Sequence, residues 1–225
     1  MRPIALWVVA SAGLAACGHN EVNPFPLELG FQPLEACTAP EPARSPGTCP
    51  ETPYLGLTGP TGNRDGHDWG HARAFVNATL DEVWAAMQDP NVCRVHETSS
   101  WGVVSRGTEP FPMSFVIRYV AGPFFAKQEW EITYRGGVLE GTATAPGAYG
   151  MRAQKTWGTS FVDVQSISVV ARAVATQQTE GVDCVLLEMV GWLAATTRGQ
   201  AEAIGLTQDF YYAITAWLHG QPIPE

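Results

Sequence analysis

Apolar residues recur along this chain in two periods, and the period changes at recognisable stop signals. Leu80, Val83, Trp84 and Met87 fall at i, i+3, i+4 and i+7, one face of a helix. Thr79 and Glu82 have the spacing of a capping box at its start, and Asp89-Pro90 ends it. Just upstream, residues 71–78 alternate as a strand: Ala72, Ala74, Val76 and Ala78 on one face, Phe75 on the other. A long alternating region follows. It predicts strands over 101–106, 114–121, 124–135, 151–159, 167–177 and 182–196. Gly122-Pro123, Gly136-Gly137 and Thr179-Glu180-Gly181 read as turns between them. In 124–135, Trp130, Ile132 and Tyr134 share a face with Gln128, while Lys127, Glu129, Glu131 and Thr133 take the other. That pattern predicts a sheet covered on one side. Helical period returns over 200–219 with a broad apolar face that includes Phe210, Ile214 and Trp217. Gly220 suits the C′ position and Pro222 forbids continuation.

A sheet with one apolar face needs a cover, and a helix of twenty residues, about 30 Å long, can supply it. The prediction is an α+β fold in which a curved antiparallel sheet wraps around a long C-terminal helix. Trp130, Ile132 and Tyr134 supply one wall of the space between them, and Leu187, Met189, Gly191 and Leu193 another. Phe210, Tyr211, Ile214 and Trp217 face both from the helix. Gly191 in mid-strand is expected to leave room for a ligand. Such concave spaces are where small apolar molecules bind.

The segment Phe75-Val-Asn-Ala-Thr-Leu-Asp-Glu-Val-Trp-Ala-Ala-Met-Gln-Asp-Pro90 resembles the opening of the START/polyketide-cyclase-like (SRPBCC) superfamily. There a strand ending in a small residue leads into a helix carrying Val-Trp and closing on Asp-Pro. Residues 199–218 resemble its closing helix, so the resemblance spans about residues 70–220. It implies the helix-grip fold. It also implies a cavity of the kind that holds lipids, sterols, polyketides or hormones in some members and hosts chemistry in others. The Pro-rich N-terminal extension and the cysteines depart from typical members.

The start of the chain is different in kind. Arg2 precedes an almost wholly apolar run, residues 4–16, too short to span a membrane. The run ends Leu14-Ala15-Ala16-Cys17. This resembles a bacterial lipobox, which implies cleavage after residue 16 and acylation of Cys17; an ordinary secretory signal is the alternative. Gly18 is not the Asp that marks inner-membrane retention in such lipoproteins, which points to the outer membrane, facing the periplasm. Nine of the seventeen prolines lie between Pro24 and Pro60, so residues 17–66 read as an extended tether and residues 67–225 as the folded body.

Composition narrows the partners. The net charge is −9, and only Lys127 and Lys155 are lysines, which argues against nucleic acid and against a basic membrane patch. Four cysteines follow Cys17, an even number that suits disulfides in an oxidising compartment. Of three pairings, proximity favours Cys37 with Cys49, leaving Cys93 with Cys184.

Candidate chemistry is sparse. His67 and His71 stand four apart beside Asp68, but Gly66 and Gly70 flank them and helical period is lacking, so a solvated loop is the better reading than a zinc site. His96-Glu97 has the makings of an acid–base pair or of a plain loop. No metal or cofactor is expected. Arg118, Arg152 and Arg172 sit in strand patterns. Arg118 is the candidate to enter the cavity and fix a carboxylate or phosphate; an outward arginine on the solvated face is the alternative. The expectation is an envelope-anchored protein binding a hydrophobic small molecule or lipid. A cyclase- or hydratase-type enzyme and an interaction module with a filled cavity are the rival readings.

Overall fold

Two pairs of glycines and a run of prolines reshape the fold that periodicity alone predicts. In the computed structural model, residues 20–52, 57–94, 98–122, 127–174, 182–195 and 200–223 are described. The strands are β1 Asn20–Val22, β2 Thr61–Arg64, β3 His67–Val76, β4 Ser100–Arg106, β5 Met113–Ala121, β6 Gln128–Thr142, β7 Ala145–Thr159, β8 Val162–Ala173 and β9 Val185–Ala195. The α-helices are α1 Leu80–Met87 and α2 Gln200–Leu218. The main sheet has the order β2-β3-β9-β8-β7-β6-β5-β4, with β1 added on β7. Every neighbouring pair is antiparallel.

The helix signals behave as their chemistry requires. Thr79 and Glu82 form both hydrogen bonds of the capping box at the start of α1. At the end of α2, Gly220 adopts φ 64°, its amide bonds the Trp217 carbonyl, and the Gln221 amide bonds the Ala216 carbonyl. Those two bonds satisfy carbonyls that the helix leaves free.

The inner face of the sheet packs on α2. Ala72, Ala74 and Val76 of β3, Leu187, Met189 and Leu193 of β9, and Ala203, Phe210 and Ile214 of α2 belong to one buried cluster. Gly191 does not leave a hole there. A Cβ on Gly191 would stand 2.7 Å from the Ala203 carbonyl oxygen, and one on Gly70 would stand 2.7 Å from the Ile204 Cα. Gly70 and Gly191 are cross-strand partners, so together they form a flat seat on which α2 approaches the sheet backbone.

Gly136-Gly137 is not a turn. β6 runs through both glycines, which pair with Met151 and Gly150. A Cβ on Gly136 would meet Met113 and Trp84, and one on Gly137 would come within 2.8 Å of Phe31. Packing from both sides explains these glycines, and the reversal falls after Thr142 instead.

The Pro-rich stretch is not a free tether over its described part. Residues 20–52 form a strap across the outer face of the sheet. Arg135, only 2% exposed, is its main latch: the guanidinium donates to the Phe25 and Pro26 carbonyls, both at 2.8 Å, and to Glu109. It also lies 3.8 Å from the centre of the Phe25 ring. Glu35 is a second latch, accepting from Arg64 at 2.8 Å and from Trp192 and His71 at 3.0 Å. Burial pushes the Glu35 carboxyl up, but those three hydrogen bonds outweigh it and hold it below its ordinary value. His67–His71 is therefore strand rather than loop, and His71 is buried under the strap, its Nδ1 accepting from the Thr38 amide at 3.0 Å. Leu57, beyond the strap but still within the expected tether, is a core residue.

The strap also re-sorts the cysteines. Cys49 bonds Cys184, with Cα atoms 5.5 Å apart, while Cys37 and Cys93 are free. Cys37 lies by the Ala72 carbonyl and Cys49 by the Val76 carbonyl, four positions further along β3. Four strand residues span about 13 Å, beyond the reach of a disulfide, so closeness in sequence does not become closeness in space. Cys93 is buried at the end of the 3-10 turn Pro90–Cys93, beside the tyrosines of the inner face.

Candidate functional site

The inner face of β5–β8 lies opposite the first half of α2, and a cleft separates them. It is lined by Ile132 and Tyr134 of β6, Ala153 of β7, Gln165–Ile167 of β8, Val92–Arg94, and Leu206, Asp209 and Phe210 of α2. Its volume is about 30 Å³, room for a water or two and not for a lipid.

Side chains of this protein occupy the space a ligand would need. The Tyr119 and Tyr134 hydroxyls lie 2.7 Å apart and within reach of the Cys93 carbonyl, at 2.6 and 3.2 Å; with one proton each they make two of these three bonds at a time. Phe115 stacks on Tyr134 and Tyr119 on Trp130. The Trp130 indole donates to Gln165 at 3.0 Å. Each of these buried polar tips thus has a partner. Burial raises both tyrosines well above the ordinary phenol range, and the Cys93 thiol likewise, so all three stay neutral and offer hydrogen bonds rather than charge.

Of the residues predicted to face the cavity, Ile132, Tyr134 and Phe210 line this cleft. Trp130 adjoins it through Gln165. Leu187, Met189, Leu193, Tyr211 and Ile214 face the same interior but are packed solid in the core. Tyr211 is tied down further: its hydroxyl donates to the Phe75 carbonyl at 2.9 Å and accepts from the Thr52 amide at 3.0 Å. Trp217 is half-buried and donates to Asp89 at 2.8 Å, pinning the end of α2 to the end of the first helix.

Arg118 does not enter the cleft. Its side chain is exposed, pairs with Glu131 and Glu129 and lies 5.0 Å from the Trp157 ring. The parity of β5 explains this: Ile117 and Tyr119 turn inward, so Arg118 turns outward. Arg172 is likewise held by Glu140 and Glu188. Cys17, His96 and Glu97 lie outside the described residues. Among the described residues, no group of three or more His, Cys, Asp or Glu is placed to hold a metal.

Sequence reasoning missed Gln165 and Ser166, because the strand was expected to start only at Ile167. It also missed the cleft's use of the 3-10 turn, since Val92 and Cys93 carry no period. Lys155 falls within the expected strand 151–159, where no role attaches to it; it is 1% exposed on the inward parity of Met151 and Ala153.

The elements and their order define the class: an antiparallel sheet gripping a C-terminal helix, the helix-grip α+β fold. Solved structures of similar outline include the Zhui aromatase/cyclase from a Streptomyces species, at 11% identity and TM-score 0.44, covering 68% of this chain and 94% of that one. Another is the human StarD13 lipid transfer and protein localization domain, at 10% identity and TM-score 0.44, covering 74% and 90%. A third, from Thermus thermophilus, has 16% identity and TM-score 0.42, covering 68% and 94%. Likenesses of this size identify neither a ligand nor a reaction. No protein-family model and no curated protein matches the chain.

Proposed function

We propose that this is an exported protein, anchored through an acylated Cys17 at the bacterial envelope, that binds a small apolar molecule between α2 and the sheet. The observation that carries the binding part is the cleft itself. It is a mainly apolar slot at the helix–sheet junction, with Arg94, the Tyr134 hydroxyl, Gln165, Ser166 and Asp209 as its polar groups. At about 30 Å³ it is too small for such a molecule as it stands, so α2 must shift from the sheet to make room. The Cys49–Cys184 disulfide supports export, because such bonds persist in oxidising compartments. The Leu14-Ala15-Ala16-Cys17 motif supports the anchor, and Gly18 supports the outer membrane facing the periplasm.

The small volume favours a second reading, an envelope interaction module whose cavity is filled by its own side chains. Native mass spectrometry separates the two. A Cys17→Ser chain, purified without detergent, is expected to carry or take up one apolar molecule. A single bare mass after incubation with dodecanol rejects the binding reading and leaves the module. For the anchor, Cys17→Ser is expected to move the protein from the membrane fraction to the soluble one. If that variant still pellets after a salt wash, Cys17 is not the anchor.

A further inference from the structure

The hairpin of β2 and β3 carries a cluster of rings at one corner of the sheet's outer face. Arg64 pairs with His67, so the loop between them is only Asp65 and Gly66, at φ 51° and 80°. Two-residue hairpins turn this way, with both central residues at positive φ. Alternation along β3 places the rings: Ala72, Ala74 and Val76 turn inward, so His67 and Trp69 turn outward with His71. Trp69 faces Gly62 on β2 and Trp192 on β9. A Cβ on Gly62 would stand 2.5 Å from the Trp69 ring, so only glycine lets that ring lie across β2.

The rings are held in place and yet open to solvent. The Trp192 indole and the Arg64 guanidinium both donate to Glu35, which fixes them from the strap side. The same guanidinium stands 6.0 Å from the centre of the Trp69 ring. His67 and Trp192 are nearly parallel, 15° apart, with ring centres separated by 6.4 Å. His67, Trp69 and Trp192 are each only half-buried, and Asp65 is exposed at the rim. With Arg64 these residues line a notch of about 50 Å³, mainly apolar and roomy enough for an acetyl-sized group. Met189 and Leu193 turn inward, so Trp192 and the notch lie on the opposite face of the sheet from the cleft.

We propose that this corner binds a neutral, N-acetylated sugar ring of a glycan. Its chemistry narrows the ligand. An organic cation is opposed by Arg64, which already stands against the Trp69 ring. An anion would meet Asp65, Glu35 and a chain of net charge −9. A flat aromatic ring cannot slip between His67 and Trp192, because two carbon–carbon contacts need about 7 Å and the ring centres are 6.4 Å apart. A pyranose has the properties that remain. Its C–H face is apolar and weakly positive, matched to the negative face of an indole. Its edge hydroxyls both donate and accept, toward Asp65 and Arg64. Its acetamido methyl takes the notch. The site is separate from the cleft behind α2, so the failure of either leaves the other standing.

The test titrates the Cys17→Ser chain calorimetrically with chitotriose and with cellotriose, which carry an acetamido group or a hydroxyl at the same ring position. Chitotriose should bind at least tenfold more tightly, and saturation-transfer NMR should mark its acetyl methyl most strongly. Trp69→Ala, added to that chain, should abolish binding. Asp65→Gly keeps the left-handed turn and removes the rim carboxylate, so it should weaken binding severalfold. Circular dichroism checks the fold of both, and Asp65→Gly decides if Trp69→Ala does not fold. Equal affinity for the two sugars overturns the acetamido assignment. Binding that survives both substitutions unchanged overturns the site. No binding of either sugar, or tighter binding of indole or tetramethylammonium, overturns the proposal as a whole.

Discussion

The two faces of the sheet are covered by opposite means. Inside, α2 lies flat on the backbone of Gly70 and Gly191 in mainly apolar contact, with hydrogen bonds from Tyr211 to the Phe75 carbonyl and from Trp217 to Asp89 in its C-terminal half. Outside, a Pro-rich strap with few buried side chains of its own is held by charged pegs, Arg135 through carbonyls and Glu109, and Glu35 through Arg64, His71 and Trp192. Apolar contact is non-directional, so a helix can shift on it at modest cost. Hydrogen-bonded pegs are directional, and breaking one strands a buried charge. On the proposed reading the faces have different duties: the strap is fixed, and α2 ahead of the Tyr211 and Trp217 hydrogen bonds is the cover that yields to a ligand.

The comparison is broken most severely at the helix seat. Gly191→Leu drives a side chain into the Ala203 carbonyl, so α2 cannot dock. Overpacking against backbone is expected to cost about 3 kcal/mol or more, read as a lower midpoint in urea unfolding. A variant of wild-type stability would show that α2 does not bear on Gly191.

The strap should fail next, and locally. Arg135→Met leaves Glu109 and the Phe25 and Pro26 carbonyls without their donor, a loss of about 3 kcal/mol. The expected signature is early proteolytic cleavage between Phe25 and Thr38 while the inner core, followed by near-ultraviolet circular dichroism, persists. Simultaneous loss of both would make strap and core one unit.

The smallest effect is in pH. The folded Glu35 carboxyl titrates below its ordinary value near 4.5, so the unfolded chain binds the proton first. The latch is fully present above about 4.5 and is lost as pH falls through the lower folded value. Glu35→Gln should therefore flatten the fall in stability on acidification below that point. Equal slopes in the two proteins would mean that Glu35 is not ion-paired under the strap.

The same contrast explains what the sequence made legible. The inner face is written in periods, so Ala72 to Val76, Leu187 to Leu193 and the α2 face could be assigned inward and were found there. The capping box at Thr79 and the stop at Gly220 are local chemistry and needed no tertiary information. The strap has no period, because its contacts are carbonyls offered to Arg135 and side chains offered one at a time. Proline content was therefore read as a free linker, and the cysteines as neighbours. Gly136, Gly137 and Gly191 show the limit of glycine as a signal: a turn, a cavity and a close approach all favour it, and only the neighbouring chain decides. The candidate site was half legible. Ile132, Tyr134 and Phe210 follow from alternation and helical period, whereas Gln165 and Ser166 depend on where two strands part.

Hydrogen–deuterium exchange with and without dodecanol tests the unequal covers most directly. Amides of α2 between Ala203 and Ile214 should change exchange rate at least tenfold when the cleft is occupied, while those of the strap from Phe25 to Thr38 keep theirs. Unchanged exchange in α2, or a change confined to the strap, would contradict the account.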